Sequence, residues 1–328
     1  MARSVGVAAA LGAALLALFV LSVGTGEFSI PPKDVVETLL GGGDRSTRFV
    51  IETLRLPRAL TGILVGAALG AAGAIFQSIT RNPLGSPDVI GFVQGASAGA
   101  VLEIVVLGGG AFAIAMGAIV GGVATAIVVY VLAYRGGVQG YRLVLIGIGI
   151  AAMLVAVTDY LLTRSTLEQA QAANVWLTGS LNGRGWEHVR PVAAALSILL
   201  PATALLARQL RMLELGDDVA RALGVSIERS RLALVLVAVL LAAVATASAG
   251  PVVFVALAAP QIARRLTRAG GPGVGCAALM GAALLLGADF ASERMFGPTQ
   301  LPVGVMTGVA GGLYLIWLLR REWRGASA

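Results

Sequence analysis

Eight stretches of this sequence stay apolar for long enough to cross about 30 Å of hydrocarbon at roughly 1.5 Å per helical residue. They fall at 5–24, 59–79, 89–107, 111–134, 143–163, 191–207, 273–290 and 301–319. A further apolar run, 232–263, is too long for one helix and contains "SAGPVVF", where Gly250-Pro251 breaks it. Divided into 232–249 and 250–263, it brings the expected spans to about ten and puts both termini on one side. No water-facing core could absorb this surface: 57% of the 328 residues are hydrophobic and 12% charged, against about 25% charged in soluble domains. The expected class is an all-α polytopic membrane protein, one transmembrane domain over 1–328, with no linker and no room for a second soluble domain. The first apolar run, about 20 residues, exceeds the roughly 7–15 of a signal-peptide core, so it is read as an uncleaved span.

Charge sets the orientation. With the N-terminus inside, fifteen of the 24 Lys and Arg residues fall in inner loops and nine in outer ones, which places both termini in the cytoplasm. Scattered singly in short loops, these arginines read as orientation charge and not as a nucleic-acid surface. Arg55 and Arg58 of "RLPRAL" run against the bias, since they lie outside at the mouth of the second span. Three residues apart, both can project outward where the helix begins. Outside the spans, 31–40 is expected to form a short helix behind its prolines, and Trp176 and Trp186 in 174–186 are placed as interfacial anchors. In "RNPLGSPDVIG", Pro83, Gly85 and Pro87 turn the chain at the membrane's inner edge. Gly91, Gly95 and Gly99 then allow close helix contact in the next span.

Several chemistries lack their residues. The only lysine, Lys33, sits in "PPKDVV" and cannot complete a G-x-x-x-x-G-K-[ST] phosphate loop. One histidine, His188, supplies neither an H-E-x-x-H zinc site nor a Ser/His/Asp triad, and reads as a loop residue. The single Cys276 forms no intrachain disulfide. Glu103, Asp159 and Asp289 are the acids inside spans, each near an outer end, where snorkelling or an outer vestibule accounts for it. An ion-coupled carrier would need one of them to be essential. Many spans with no catalytic cluster describe a path-forming subunit driven by another protein.

The longest inner loop, 208–231, holds "LELGDDVARALGV". Asp217 can cap a helix beginning at Asp218, Arg221 sits toward the other end, and Gly224 is placed to stop it. A helix of about six residues is marginal in water and needs a surface to lie on. Leu215, Val219 and Leu223 give it an apolar side. Pattern alone fits either a turn lying on the protein's own spans or a docking element for another protein.

Six segments, in order across nearly the whole chain, resemble the FecCD/BtuC-type permease subunits of bacterial ABC importers for ferric siderophores, haem and vitamin B12. They are "RLPRALTGILVGAALGAAGAIFQ" (55–77), "RNPLGSPDVIGFVQGASAGA" (81–100), "WLTGSLNGRGW" (176–186), "LELGDDVARALGV" (213–225), "AGPVVFVALAAPQIARRL" (249–266) and "QLPVGVMTG" (300–308). The resemblance implies a type II ABC importer permease fold in the bacterial cytoplasmic membrane. Two permease subunits would surround one path, two ATPase subunits would carry ATP and Mg below, and an extracytoplasmic binding protein would deliver cargo. The chain itself would bind no cofactor or metal and catalyse nothing.

Residue by residue, the resemblance makes Leu213–Val225 the ATPase coupling element, with Leu215, Gly216, Asp217, Asp218, Val219, Ala220, Arg221, Leu223 and Gly224. It sets Arg55, Arg58 and Arg294 against acidic residues of the binding protein, and an inner gate at Gly140 and Tyr141. Three departures stand out. The family's gate, just before the fifth span, can carry small hydroxyl residues where this chain has Gly140-Tyr141. Pro260-Gln261 replaces a frequent Pro-His, and Gln261 receives no role. Arg294 lies about one residue closer to "QLPVG" than the family pattern. "LNGRGWEHVRP" and "LGDDVARALGV" resemble subunits of siderophore systems that pair with a paralogue, so a heterodimer carrying a ferric siderophore is expected. Haem or a cobalamin is the alternative cargo, and an ion-coupled secondary transporter the alternative class.

Overall fold

The computed structural model describes residues 2–26, 29–135, 140–295 and 300–326. Every regular element among them is helical. The apolar α1 (Ala2–Gly24) leads to α2 (Pro32–Leu39), the short helix expected behind the prolines, with Asp34 in its first turn. α3 (Arg45–Phe49) is capped by Asp44, whose carboxylate accepts from the Ser46 and Thr47 amides at 3.1 and 3.2 Å. Hydrogen bonds from Ser46 and Thr47 hold that carboxyl well below the usual range. α3 runs through a π-helical turn, Val50–Arg55, into α4 (Leu56–Thr80), making one rod of 36 residues.

α5 (Phe92–Leu102) continues as a π-helical turn, Glu103–Leu107, and is followed by α6 (Ala111–Ala133) and α7 (Gly140–Arg164). Next come α8 (Leu167–Leu177), α9 (Trp186–Leu205), α10 (Ala207–Glu214) and α11 (Asp217–Ala222). α12 (Ile227–Ala249), α13 (Val255–Thr267), α14 (Val274–Arg294) and α15 (Val303–Ala326) complete the chain.

Among the described residues, seven helices are long and apolar enough to cross a bilayer: α1, the α3–α4 rod, α6, α7, α9, α12 and α14. The other three expected crossings fall on Phe92–Leu107, on Val303–Trp317, the apolar part of the 24-residue α15, and on the 13-residue α13. The first and last are short for local causes. The Pro83–Gly91 turn occupies the start of the 89–107 stretch. Gly250 (φ +76°) ends α12 as expected, and the chain stays non-helical through Phe254 (φ +67°) before α13 begins. α8 lies outside every helix expected from the sequence, although its signal is local: Thr166 and Gln169 close a reciprocal capping box at 3.3 and 3.1 Å.

α4 is the axis of the packing and is buried along most of its length against α9, α12, α13 and α14. Side chains are absent where it is closest to its neighbours. A Cβ at Gly66 or Gly70 would collide with the carbonyl oxygens of Gly281 and Ala277 on α14, and one at Gly73 with that of Ala256 on α13. Lipid tails are as apolar as leucine, so close backbone approach and dispersion hold such helices together. α5 meets α6 in the same way, with Gly95 and Gly99 facing the backbone of Gly121 and Gly117. That is the packing role expected of those two glycines.

The Pro83–Asp88 turn is held from α13. Gln261 Nε2 donates to the Pro83 carbonyl at 2.7 Å, and the Phe254 amide donates to Asp88 Oδ2 at 3.4 Å. Gln261, without a role in the sequence reading, thus satisfies backbone that leaves the helical ladder. Trp186 is tied to protein: its indole donates to the Glu52 carbonyl at 2.9 Å.

Gly70→Val is expected to remove folded protein or lower its thermal midpoint in detergent sharply, since overpacking costs about 1–3 kcal/mol or more. Gly12→Val on α1, where nothing lies within 4 Å of an added Cβ, should leave the midpoint unchanged. Size-exclusion profiles and melting curves of the two variants make the comparison.

Candidate functional site

The residues singled out from sequence gather at the two ends of α4. At its C-terminal end, α10 and α11 lie across the bundle on buried Leu210, Leu213 and Ala220. Leu215, Val219 and Leu223 remain exposed, flanked by Asp218 and Arg221, which pair at 3.2 Å. The helix ends as expected. Gly224 adopts φ +78°, its amide donates to the Arg221 carbonyl, and the Val225 amide reaches the Ala220 carbonyl, both at 3.0 Å. The start differs from expectation. The helix begins at Asp217 itself with Gly216 (φ +109°) at the cap position, and no side chain caps it. The Asp217 carboxylate turns to two guanidinium groups instead: buried Arg231 at 3.0 and 3.1 Å, and Arg81 at 3.4 Å. A contact in which both partners are charged, one of them a buried cation, outweighs a cap bond to uncharged backbone amides.

Gly140 and Tyr141 lie beside this segment. A cleft of about 630 Å³ is lined by Thr80, Arg81, Gly140, Tyr141, Asp217 and Arg231, with Leu215, Gly216, Asp218 and Val219. The exposed Tyr141 ring has the Arg142 guanidinium 6.0 Å from its centroid. Gly140 sits against the Thr80 backbone, with Thr80 Cα and O within 2.9 Å of an added Cβ. Leu215–Val219 and Gly140–Tyr141, far apart in sequence, are therefore two walls of one cleft.

The opposite end of α4 carries Arg55 and Arg58, with Arg294 at the end of α14, and the outward projection expected of the first two is corrected. Arg58 forms a two-pronged ion pair with Asp289 of α14, Nε to Oδ2 and Nη2 to Oδ1, both 2.9 Å. Its third nitrogen lies 3.9 Å from Glu293. Asp289 is only 1% exposed, so this span acid does not snorkel; Arg58 neutralises it. Arg55 donates to the Val23 carbonyl at 2.9 Å. Arg294 donates to the Thr25 and Phe290 carbonyls at 2.6 and 3.2 Å, with its guanidinium 3.8 Å from the Phe290 ring centre. A guanidinium has five donors, and where water is scarce nearby carbonyls and carboxylates take them.

The paired arginines still border open space. Arg55, Arg58, Arg184, Glu293 and Gln300 line a cleft of about 400 Å³. A neighbouring cleft of about 760 Å³ adds Asn174, Trp176, Thr178 and Asn182. Burial pushes the Arg184 guanidinium below its ordinary value; it donates to the Ser180 carbonyl at 3.1 Å and lies 2.8 Å from His188 Nε2. His188 is thus held in the first turn of α9 and is not a loop residue. Asp159 is exposed on α7 and Glu103 half-buried in the π-helical turn after α5, and neither joins a cleft described here.

Comparison with known proteins agrees across the whole chain. The model of the FecCD transport family matches residues 14–321. The chain is 51% identical over 300 residues to the ferric enterobactin transport system permease protein FepG of Escherichia coli (strain K12), covering 92% of this chain and 91% of that protein. It is 39% identical over 311 residues to the achromobactin transport system permease protein CbrC of Dickeya dadantii (strain 3937), covering 94% and 89%. Among solved structures, one described as an inward-facing conformation of a metal-chelate type ABC transporter matches with a TM-score of 0.84 at 28% identity, covering 96% of this chain and 99% of that one.

Breaking the Arg58–Asp289 pair from one side leaves an uncompensated buried charge, which typically costs about 3–5 kcal/mol. Arg58→Ala should therefore lower the thermal midpoint markedly. Asp289→Asn, which leaves Arg58 without its buried counter-charge, should do likewise. The double change Arg58→Met with Asp289→Leu is expected to recover most of the loss, measured by melting curves in one detergent.

Proposed function

The chain belongs to the FecCD transport family, and on that premise we propose that it is the transmembrane subunit of an ATP-driven importer that passes a ferric siderophore across the bacterial cytoplasmic membrane. The observation that carries the cargo class is the 51% identity, over nine-tenths of the chain, to a relative named for ferric enterobactin transport. In this reading residues 1–328 form one permease domain with both termini in the cytoplasm. A paralogous permease subunit completes the path, two ATPase subunits supply ATP and Mg, and an extracytoplasmic binding protein delivers the chelate.

The α10–α11 segment serves as the ATPase docking element. Its support is physical: a six-residue helix, ended by a left-handed glycine, holds three large apolar side chains in the open beside charged residues that keep it soluble. Gly140 and Tyr141 form the inner gate beside it. Arg55, Arg58 and Arg294 form the surface for the binding protein's acids. A carboxylate arriving at Arg58 shares that guanidinium with Asp289, so it acts on orientation and encounter more than on affinity.

Two experiments test the reading. Deleting the gene should abolish uptake of ferric enterobactin, the chelate in that relative's name, while sparing unrelated nutrients, and the intact gene should restore it; unchanged uptake in the deletion strain would remove the cargo assignment. Gly224→Val addresses docking. An added Cβ there meets nothing within 4 Å, so its whole effect is the left-handed backbone, unfavourable for a β-branched residue by roughly 1–2 kcal/mol. The variant should insert normally yet lose copurifying ATPase, and full copurification with normal transport would count against the docking role.

A further inference from the structure

Asp217 belongs to the docking segment, yet it does not face outward. Exposed Asp218 beside it is solvated, its side chain 99% accessible, while Asp217 is drawn inward by Arg231 and Arg81. Arg231 stands in the first turns of α12 and is 4% exposed. Arg81 caps the C-terminus of α4 in the left-handed conformation, φ +51°. A non-glycine residue in that region costs about 1–2 kcal/mol, and here the conformation goes with a guanidinium that reaches α11. One residue back, Thr80 is the backbone against which Gly140, the first residue of α7, is packed. Asp217, Arg81, Thr80, Gly140 and Tyr141 all line one cleft.

Taking the docking reading above as its basis, we propose that Asp217 is a positioning residue which ties α11 to the ends of α4 and α7 through Arg81, so that displacement of the docked helix is passed to Tyr141. The exposed Arg81–Asp217 pair adds little to stability as an isolated surface ion pair; its consequence is geometric. α11 has two attachments through this carboxylate. The buried one, to Arg231, anchors it on α12. The half-exposed one, to Arg81, is the one that can be remade as the helix shifts. A neutral amide at 217 keeps the shape of the side chain and removes the charge that both guanidinium groups share.

The experiment uses the full complex of this chain, its partner permease and the ATPase, reconstituted in vesicles with binding protein and ferric siderophore. In the Asp217→Asn complexes that hold ATPase, siderophore moved per ATP hydrolysed should fall about tenfold, the scale of one lost charge-assisted hydrogen bond. Asp217→Glu should restore part of it. Arg81→Gln, at a half-exposed position where folding is not at stake, should reproduce the loss, and the double variant should be no worse than the worse single one. On a Tyr141→Cys background, nucleotide-dependent maleimide labelling should disappear in both variants. Wild-type transport per ATP in Asp217→Asn, or additive losses in the double variant, overturns the linkage. Loss of ATPase binding in Asp217→Asn, with normal transport per ATP in the complexes that remain, also overturns it by making Asp217 a docking contact. Failure of the docking reading would show separately, as full ATPase copurification in Gly224→Val.

Discussion

Between α4 and its neighbours, carbonyl oxygens of α13 and α14 occupy the space where a Cβ of Gly66, Gly70 or Gly73 would stand. In lipid, burying an apolar side chain between helices gains little, because the alternative is another apolar environment. What remains is dispersion between closely fitted surfaces, and that is largest where the backbones themselves touch. Glycine costs a soluble helix about 1 kcal/mol relative to alanine. Here the cost is offset by an approach no other residue allows. The helices around α4, and α5 and α6 beside them, take their spacing from such contacts.

Ions finish what the glycines begin. α4 is tied by charge near both of its ends. Arg58 joins it to α14 through Asp289, and Arg81 joins it to α11 through Asp217. Ser78, a turn from the C-terminal end, accepts from Arg264 of α13 at 2.8 Å, and Arg264 also reaches Glu214 of α10 at 3.2 Å. Each pair links elements distant in sequence, and each lies where a span meets its loop. Apolar packing fixes how near the helices lie but is permissive about sliding along their axes. A two-pronged guanidinium–carboxylate contact has one register, so it fixes what the glycines leave free.

The sequence makes the spans legible because a bilayer imposes a length, and Gly250-Pro251 marks the one long run that had to be divided. It makes the end of α11 legible because a left-handed C′ position demands glycine, and Gly224 supplies it. It misleads at the start of the same helix. Asp217 has the composition of a cap, but buried Arg231 and Arg81, fourteen residues ahead and 136 behind, compete for its carboxylate. The arginines at the other end follow the same logic. Spacing gives the face on which Arg55 and Arg58 lie, but their partners Val23 and Asp289 come from other helices, and no local pattern reveals them. Gln261 was invisible for that reason too, since its role is defined by the Pro83 carbonyl, 178 residues earlier. α8 is the opposite case: its capping box is local, in "STLEQ", but at 11 residues the helix is too short to show as a membrane-length apolar run.

A rod tied at both ends behaves differently from one held only along its sides. The 25 residues of α4 span about 37 Å at 1.5 Å per residue, and buried contacts along its length resist bending. Closely packed interfaces have discrete arrangements and are not continuously deformable. Displacement at the Arg81 end therefore has two outlets. Either α4 moves with its Arg58 end, which would require the Arg58–Asp289 pair to break or α14 to follow, or the movement is absorbed locally in the elements that meet Thr80 and Arg81. The second outlet is the easier one. The pair at Asp289 is buried and two-pronged, whereas the contact at Asp217 is half-exposed at 3.4 Å and borders a cleft. The same electrostatics that lock one end of the helix thus direct motion to the end where α11 and Tyr141 line one cleft.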